Sequence, residues 1–139
     1  MKLDNYQIRY SPSDLINFLG CRHASFLDIQ ALTTDDIEKT KPTTMELLLQ
    51  KKGLEHEYNY LKTLKNEGKS VVEIPTNFNS EERANLTLKA IESGSDVIFQ
   101  AVLSTSPWIG YADFLIKCDT PSKLGTFSYE VLDTKLART

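Results

Sequence analysis

The sequence has few cysteines, little net charge and no long hydrophobic run. Its two cysteines, Cys21 and Cys118, are far apart and form neither a Cys-x-x-Cys nor a Cys/His spacing, so neither a disulfide framework nor a zinc site is predicted. A formal net charge of −3 gives no global electrostatic reason to bind nucleic acid, so such binding would need a local patch or another domain. No apolar run approaches the roughly 18 residues that span a membrane, and the N-terminus lacks the apolar core of a signal peptide.

The low cysteine content, the length of the chain and the lack of a long apolar run predict one domain in a reducing, cytoplasmic setting without membrane contact. A chain of 139 residues can form one domain with a modest core and leaves little room for a second. Its apolar fraction of 40% and charged fraction of 25% are those of an ordinary soluble globular protein. We therefore expect residues 1–139 to form a single domain.

The first half of the chain has a helical pattern. Ser11-Pro12-Ser13 precedes apolar residues at helical spacing, which predicts one capped amphipathic helix with Leu15, Phe18, Leu19 and Phe26 on it. The polar stretch from Thr33 to Thr44 predicts a loop. From about Thr44 to Asn66 the residues favour a long second helix that ends near Gly68.

The second helix carries two apolar stripes, so we expect much of its circumference to be buried. The first stripe is Leu47, Leu54, Tyr58 and Leu61, and the second is Leu49, Gly53, His56 and Tyr60. Gly53 costs about 1 kcal/mol relative to alanine in a helix interior. Its presence predicts a close approach by the sheet or by a ligand.

The second half of the chain favours strands. Val71 to Ile74 predicts a short strand, and Ser80 is the expected cap of a helix that ends by Gly94. Three further strands are expected, at Val97–Leu103, Trp108–Ile116 and Thr126–Leu136. Helices followed by clustered strands predict an α+β domain.

Asp113 is an unusual residue in its predicted strand. Period-two alternation puts it on one face with Ile109, Tyr111 and Leu115, where it is the only acid. Burying an unpaired carboxylate costs several kcal/mol, so the acid needs a cation, a hydrogen-bond network or a strand end open to water. The sequence leaves these three options open.

Asp133 and Lys135 share one face of the last predicted strand, about 7 Å apart at the usual rise. Both can reach one small site, and the alternative is a simple solvated acid–lysine pair. The turn residues of Asp119–Gly125 predict an antiparallel hairpin, in which Asp113 can face Asp133. A slip of one residue would send the two acids to opposite faces.

Taken in order, three motifs resemble the PD-(D/E)XK nuclease superfamily and, within it, RecB-like nucleases. The motifs are Gly53-x-x-His56-Glu57, Gly110-x-x-Asp113-Phe114-Leu115 and Asp133-x-Lys135. The similarity covers most of the chain, from Tyr10–Leu15 with Cys21 shortly after, through Gln100-Ala101, to Glu130–Arg138. It implies a restriction-endonuclease-like core, with a mixed or antiparallel sheet flanked by helices.

The resemblance also implies a site for Mg²⁺ or Mn²⁺. Its ligands would be His56, Asp113, Asp133 and the backbone carbonyl of Thr134. Lys135 would position or activate the attacking water and offset charge on the scissile phosphate, with Glu57 as a supporting catalytic residue. Carboxylate and carbonyl oxygens suit these hard cations, and one imidazole favours Mn²⁺. The implied activity is metal-dependent hydrolysis of phosphodiester bonds in nucleic acid. DNA is favoured as the substrate, and the sequence leaves RNA open.

The chain departs from this family in two respects. It ends four residues after Lys135, where RecB-like nucleases continue into a helix with a Gln-x-x-x-Tyr element, so we expect it to be the N-terminal portion of a longer protein. Several relatives bind an iron–sulfur cluster through one early and three late cysteines. Cys21 takes the early position but its partners are absent, so a cluster is expected only in a longer protein. A helicase domain or subunit is the partner that the resemblance implies.

Other interpretations stay open. The chain is alternatively a catalytically inactive nuclease-like module that binds nucleic acid or a protein within a helicase-containing assembly. A plain α+β domain with chance motifs is a third interpretation, and His56 alone is more often a core or surface histidine than a ligand. Trp108 could stack on a base, but we interpret it as a core residue or strand-edge anchor.

Overall fold

The computed structural model describes residues 1–135. Contacts divide the chain into a first unit, Met1–Pro42 with Ser104–Gly110, and a second unit, Thr43–Leu103 with the residues from Tyr111 onward. A single domain stays a prediction. Among the described residues, no helix combines the length and the apolar content needed to cross a bilayer.

The first unit begins with a hairpin that the sequence analysis does not predict. Strand β1 (Lys2–Asp4) pairs antiparallel with β2 (Gln7–Arg9). Asn5 and Tyr6 connect them with φ of 47° and 62°, as in a two-residue turn with both central residues left-handed. Three-residue strands show too little periodicity to be recognised, and tyrosine is not a typical residue for this turn.

After this hairpin, the first unit contains two helices, α1 (Pro12–Gly20) and α2 (Arg22–Thr33). The predicted start after Ser11 is confirmed, because the Ser11 side chain accepts from the Asp14 amide while Asp14 accepts from the Ser11 amide at 2.7 Å. The prediction of one continuous helix is wrong, since Cys21 is extended (φ −155°, ψ 102°). Gly20 lowers helix propensity at this break, which the apolar spacing alone conceals.

The second unit contains α3, α4 and most of a four-stranded sheet. The elements are α3 (Thr44–Asn66), β3 (Val71–Glu73), α4 (Ser80–Glu92), β4 (Val97–Thr105), β5 (Trp108–Cys118) and β6 (Ser128–Leu132). The predicted extent of α3 and the predicted loop before it are confirmed. The cap of α4 is Asn79 rather than Ser80, because the Asn79 side chain accepts from the Glu82 amide at 2.9 Å.

The sheet has the order β3-β4-β5-β6 and is mixed. Strands β3 and β4 are parallel, whereas β5 and β6 form the predicted antiparallel hairpin. Phe114 pairs with Leu132, and this register continues to place Asp113 opposite Asp133. These observations confirm the α+β class.

Helices α3 and α4 pack on opposite faces of this sheet. Leu61 and Leu64 of α3 cluster with Val97, Phe99 and Phe114. Ala90 of α4 belongs to a second cluster, which contains Ile74, Ile98, Ala101, Ala112 and Leu115. Val97 belongs to the cluster of α3 and Ile98 to the cluster of α4. Because adjacent residues of a strand point to opposite faces, the two helices lie on opposite sides of the sheet.

Gln100 interrupts the alternation within β4. Its φ of 57° is left-handed, which is uncommon for a residue other than glycine. Ile98 and Ala101 consequently share one cluster although they are three residues apart. The strand therefore changes its side-chain phase at Gln100, as at a β-bulge.

The expected burial of α3 is wrong. Only Leu61 and Leu64 are buried on this helix, whereas Leu47, Leu54 and Tyr58 are exposed. The close approach of the sheet predicted at Gly53 is also not found, because a Cβ there would meet no described atom within 4 Å, whereas the approach of a ligand stays a prediction. Apolar stripes show where a helix can pack, but not whether a neighbour is present.

Candidate active site

Two aspartates meet where β5 and the end of β6 lie side by side. The carboxyl groups of Asp113 and Asp133 share a hydrogen bond. The Thr134 amide donates to Asp113 Oδ2 at 3.1 Å, and its hydroxyl lies 3.5 Å from the same oxygen. The expectation that both acids occupy one side of the hairpin is therefore confirmed, and Thr134 fixes the position of Asp113.

The pKa values of the two carboxyl groups shift in opposite directions. Burial raises the pKa of Asp113, and its hydrogen bond with Asp133 raises it further. The same hydrogen bond lowers the pKa of Asp133, with the Lys135 ammonium acting in the same direction. The opposite shifts reflect one cause, which is that two ionised carboxylates this close repel one another. A cation at the pair would relieve that repulsion.

Glu57 extends this acidic group from α3. Its Oε2 accepts a hydrogen bond from Gln100 Nε2 at 2.8 Å. Partial burial raises the pKa of Glu57, and the negative charges of Asp113 and Asp133 raise it further. Glu57 is thus electrostatically linked to both aspartates, although it comes from a different element of the fold.

Gln100 is held from its other side by Arg83 of α4. Arg83 Nη2 donates to the Gln100 carbonyl at 3.1 Å, and the guanidinium lies over the Tyr111 ring, 5.6 Å from its centroid. A left-handed non-glycine residue costs about 1–3 kcal/mol and persists only where its surroundings hold it. Arg83, Gln100 and Glu57 therefore form a chain of contacts from α4 to α3.

Arg83 was missed by the sequence reasoning, and Gln100 was noted only as part of the family resemblance. An arginine on a polar helix is normally interpreted as a surface residue, so Arg83 carries no distinguishing signal. The left-handed backbone of Gln100 cannot be predicted from the sequence either, because glutamine has no preference for that conformation.

Lys135 pairs with Asp133, with 3.1 Å between Nζ and Oδ2. The two side chains are 83% and 55% exposed. A pair this accessible to solvent contributes about 0–1 kcal/mol, so little restricts the ammonium to this partner. Lys135 is therefore suited to contact an anion that arrives at the aspartates.

His56 is placed differently from Glu57. It is exposed on α3, and the described part of the chain shows no hydrogen bond from it to either aspartate. The His56 imidazole also acts electrostatically on Glu57, whose pKa it lowers, so the two side chains are near each other. The role of His56 as a metal ligand stays a prediction. Thr134 contacts the site through its amide and hydroxyl, and no contact of its carbonyl with the aspartates is described.

The acidic group suits a hard cation that takes only some of its ligands from the protein. Within residues 1–135, no group of three or more histidine, cysteine, aspartate or glutamate side chains is arranged to hold a metal ion. Mg²⁺ commonly binds through one or two carboxylates and takes its other ligands from water and substrate phosphate. Asp113 and Asp133 meet that requirement. Cys21, the residue implied for an iron–sulfur cluster, is exposed and lies in the first unit.

Comparison of the chain with protein-family models, with curated proteins and with solved structures finds no match. The resemblance to RecB-like nucleases therefore stays a prediction from motifs.

Proposed function

We propose that this protein is a metal-dependent nuclease of the RecB-like type that hydrolyses phosphodiester bonds, with DNA as its expected substrate. The observation that carries the proposal is the hydrogen-bonded pair of Asp113 and Asp133, with Lys135 on one side and Glu57 electrostatically linked to both. Stability does not explain two acids joined in this way, because like charges at short range destabilise a fold.

Each residue has a distinct part in this proposal. Asp113 and Asp133 would hold Mg²⁺ or Mn²⁺, and the cation would supply Lewis-acid activation of water and of the phosphate. Lys135 offsets negative charge on the scissile phosphate. The raised pKa of Glu57 suits a group that accepts a proton. Because His56 is exposed, we assign the third role at the site to Glu57 rather than to His56.

Calorimetric titration of Mn²⁺ into the folded chain tests the site directly. We expect saturable binding that is lost in Asp113→Ala and unchanged in the control Glu55→Ala, which removes an exposed acid of α3. Cleavage of single- and double-stranded DNA in the presence of Mn²⁺ is then expected for the wild type and Glu55→Ala, but not for Asp113→Ala. An absence of Mn²⁺ binding in a folded sample would overturn the proposal.

An inactive nuclease-like module is the second candidate. The absence of a three-residue ligand group from the described part of the chain favours it. A module of this kind would bind nucleic acid or a helicase-associated protein without needing a cation. It predicts that binding of nucleic acid is the same in Asp113→Ala as in wild type, and that no cleavage occurs with Mn²⁺ at any concentration.

A further inference from the structure

The first unit contains a cavity of about 280 Å³ that the proposed active site does not use. Most of its lining side chains are aromatic or aliphatic, and Ser25 is among the polar ones; the lining includes Tyr10, Leu15, Phe18, Ser25, Ile29 and Trp108. Its volume is near the lower limit of pockets that bind small organic groups. The cavity is therefore large enough for one compact ring system.

Ser25 provides the cavity with an unused polar group. The side chain lines the cavity and is only 5% exposed, and its Oγ has no hydrogen-bond partner within the described residues. A buried hydroxyl without a partner costs about 1–3 kcal/mol. A ligand with a polar edge would remove this cost by bonding to Oγ.

Tyr10 and Trp108 provide aromatic surface in the same cavity. Their ring centroids are 5.8 Å apart and their planes are tilted by 50°, so neither ring covers the face of the other. The Tyr10 amide donates to the Pro107 carbonyl at 3.0 Å and the Ile109 amide to the Tyr10 carbonyl at 2.8 Å, which fixes the two backbones beside each other. Trp108 remains 42% exposed, so it is not the core residue that its sequence context suggests.

The charges near the cavity are already paired. Asp14 accepts from the Ser11 amide and hydroxyl, and it forms an ion pair with the Met1 amine at 2.6 Å. No other charged side chain of the described residues lines the cavity. The cavity consequently favours a neutral planar group over a phosphate.

We propose that this cavity binds an unstacked nucleobase of a single-stranded nucleic acid, with the base against Tyr10 and Trp108 and its polar edge on Ser25 Oγ. The assignment of the ligand to nucleic acid rests on the proposed nuclease function. Stacking on aromatic side chains contributes about 1–3 kcal/mol per base and tolerates different bases. A paired duplex cannot offer such a base, so the cavity selects single strands.

Trp108 is the only tryptophan in the chain, so its fluorescence reports on the cavity. We expect a short oligothymidylate to quench it saturably in the presence of EDTA, whereas an abasic oligonucleotide of equal length does not. Ser25→Ala is expected to weaken binding about 5-fold, the value of one hydrogen bond, without lowering the free energy of unfolding. Ser13→Ala, an exposed helical serine, is the matched control and should leave both quantities unchanged.

Three results would overturn the base site: no quenching, equal quenching by the abasic oligonucleotide, or an affinity that Ser25→Ala does not change. Asp113→Ala separates this proposal from the nuclease proposal, because quenching is measured without metal and should survive that substitution. If quenching fails while Mn²⁺ binding holds, only the base site is wrong. If Mn²⁺ binding fails while quenching is saturable, the nuclease proposal fails and the base site stands.

Discussion

Helices α3 and α4 pack on opposite faces of one sheet, but they are anchored in different ways. α4 has buried residues spaced along most of its length, at Ala84, Thr87 and Ala90. α3 is almost twice as long and buries only Leu61 and Leu64, near its C-terminus. The difference teaches that the length and apolar content of a helix do not determine how much of it the fold uses.

The position of Glu57 follows from this difference. It lies one turn before Leu61, at the boundary between the packed and the exposed parts of α3. At that boundary a carboxylate is partly desolvated, which raises its pKa, yet it remains accessible to a ligand. A fully packed helix would bury Glu57, and a fully exposed one would leave its pKa unshifted.

Leu61→Ala should give the largest loss of stability. Leu61 is 3% exposed in the cluster with Val97 and Phe99, so truncation leaves a cavity and costs about 3 kcal/mol. Leu48→Ala, in the exposed half of the same helix, should change the free energy of unfolding by less than about 0.5 kcal/mol. Urea denaturation measures both. Equal losses of stability in the two variants would show that both halves of α3 are packed alike, which would contradict the difference described above.

Thr87→Val tests the polar anchoring of α4. Thr87 is fully buried, and its Oγ1 accepts from the Val102 amide at 3.0 Å and donates to the Arg83 carbonyl at 2.9 Å. Valine keeps the shape but leaves the Val102 amide without its partner, so we expect a loss of about 2 kcal/mol.

Thr63→Val is the control for that substitution, since the Thr63 hydroxyl donates only to the Asn59 carbonyl on the exposed surface of α3. It should change the unfolding midpoint little. A similar loss in both variants would mean that the hydroxyl of Thr87 adds nothing to the anchoring of α4.

Asp96 connects the chain segments that follow the two helices. It lies after α4 and accepts from the amide and hydroxyl of Ser70, which lies after α3. The backbone hydrogen bond, followed by that of the hydroxyl, lowers the pKa of Asp96. A lowered folded-state pKa stabilises the protein above the ordinary aspartate pKa of about 3.9, and this stabilisation is lost as the pH falls through the lower folded value.

Asp96→Asn should therefore lower the free energy of unfolding by about 1 kcal/mol at neutral pH and should not change it at strongly acidic pH. The value at neutral pH is modest because solvent screens this exposed carboxylate. Denaturation at a series of pH values measures the difference from wild type. Asp36→Asn, in the exposed loop before α3, should show no such trend. A loss of stability that is as large at acidic pH as at neutral pH would show that the lowered pKa of Asp96 is not its cause.

Gly53→Ala should give a small effect, and a gain in stability rather than a loss. Gly53 lies in the exposed half of α3, where a Cβ meets no described atom within 4 Å, so alanine should add about 1 kcal/mol of helix stability. Gly68→Ala should lose stability, because Gly68 has a φ of +80°. Thermal unfolding distinguishes the two signs. Destabilisation by Gly53→Ala would reveal the close approach that the sequence predicts and the structure lacks.

The sequence predicts best those elements whose signals are local. The bounds of α3 follow from the helix-favouring residues between Thr44 and Asn66 and from Gly68 after them. The hairpin of β5 and β6 follows from the turn residues between the two strands. The predicted pairing of Asp113 with Asp133 depends on alternation along two strands and on the register of their hairpin, and it holds in the structure.

The sequence predicts poorly what depends on packing. Whether His56 or Glu57 faces the aspartates is set by the rotation of α3 on the sheet, which depends on Leu61 and Leu64 rather than on the motif itself. The phase change at Gln100 is held by Arg83, a residue 17 positions away, so no local pattern reveals it. Burial of the N-terminal half of α3 was overpredicted because apolar residues need a neighbour in order to be covered.

In the described sheet, β6 is an edge strand, and it contains the exposed Val131. Edge strands recruit strands from other molecules unless charge or distortion prevents it. Asp133 and Lys135 follow the end of β6, so we expect the charges proposed for catalysis to limit self-association at this edge as well. Neutralising both at once would make the protein prone to aggregate, and a loss of activity in that double variant would then report solubility as much as chemistry.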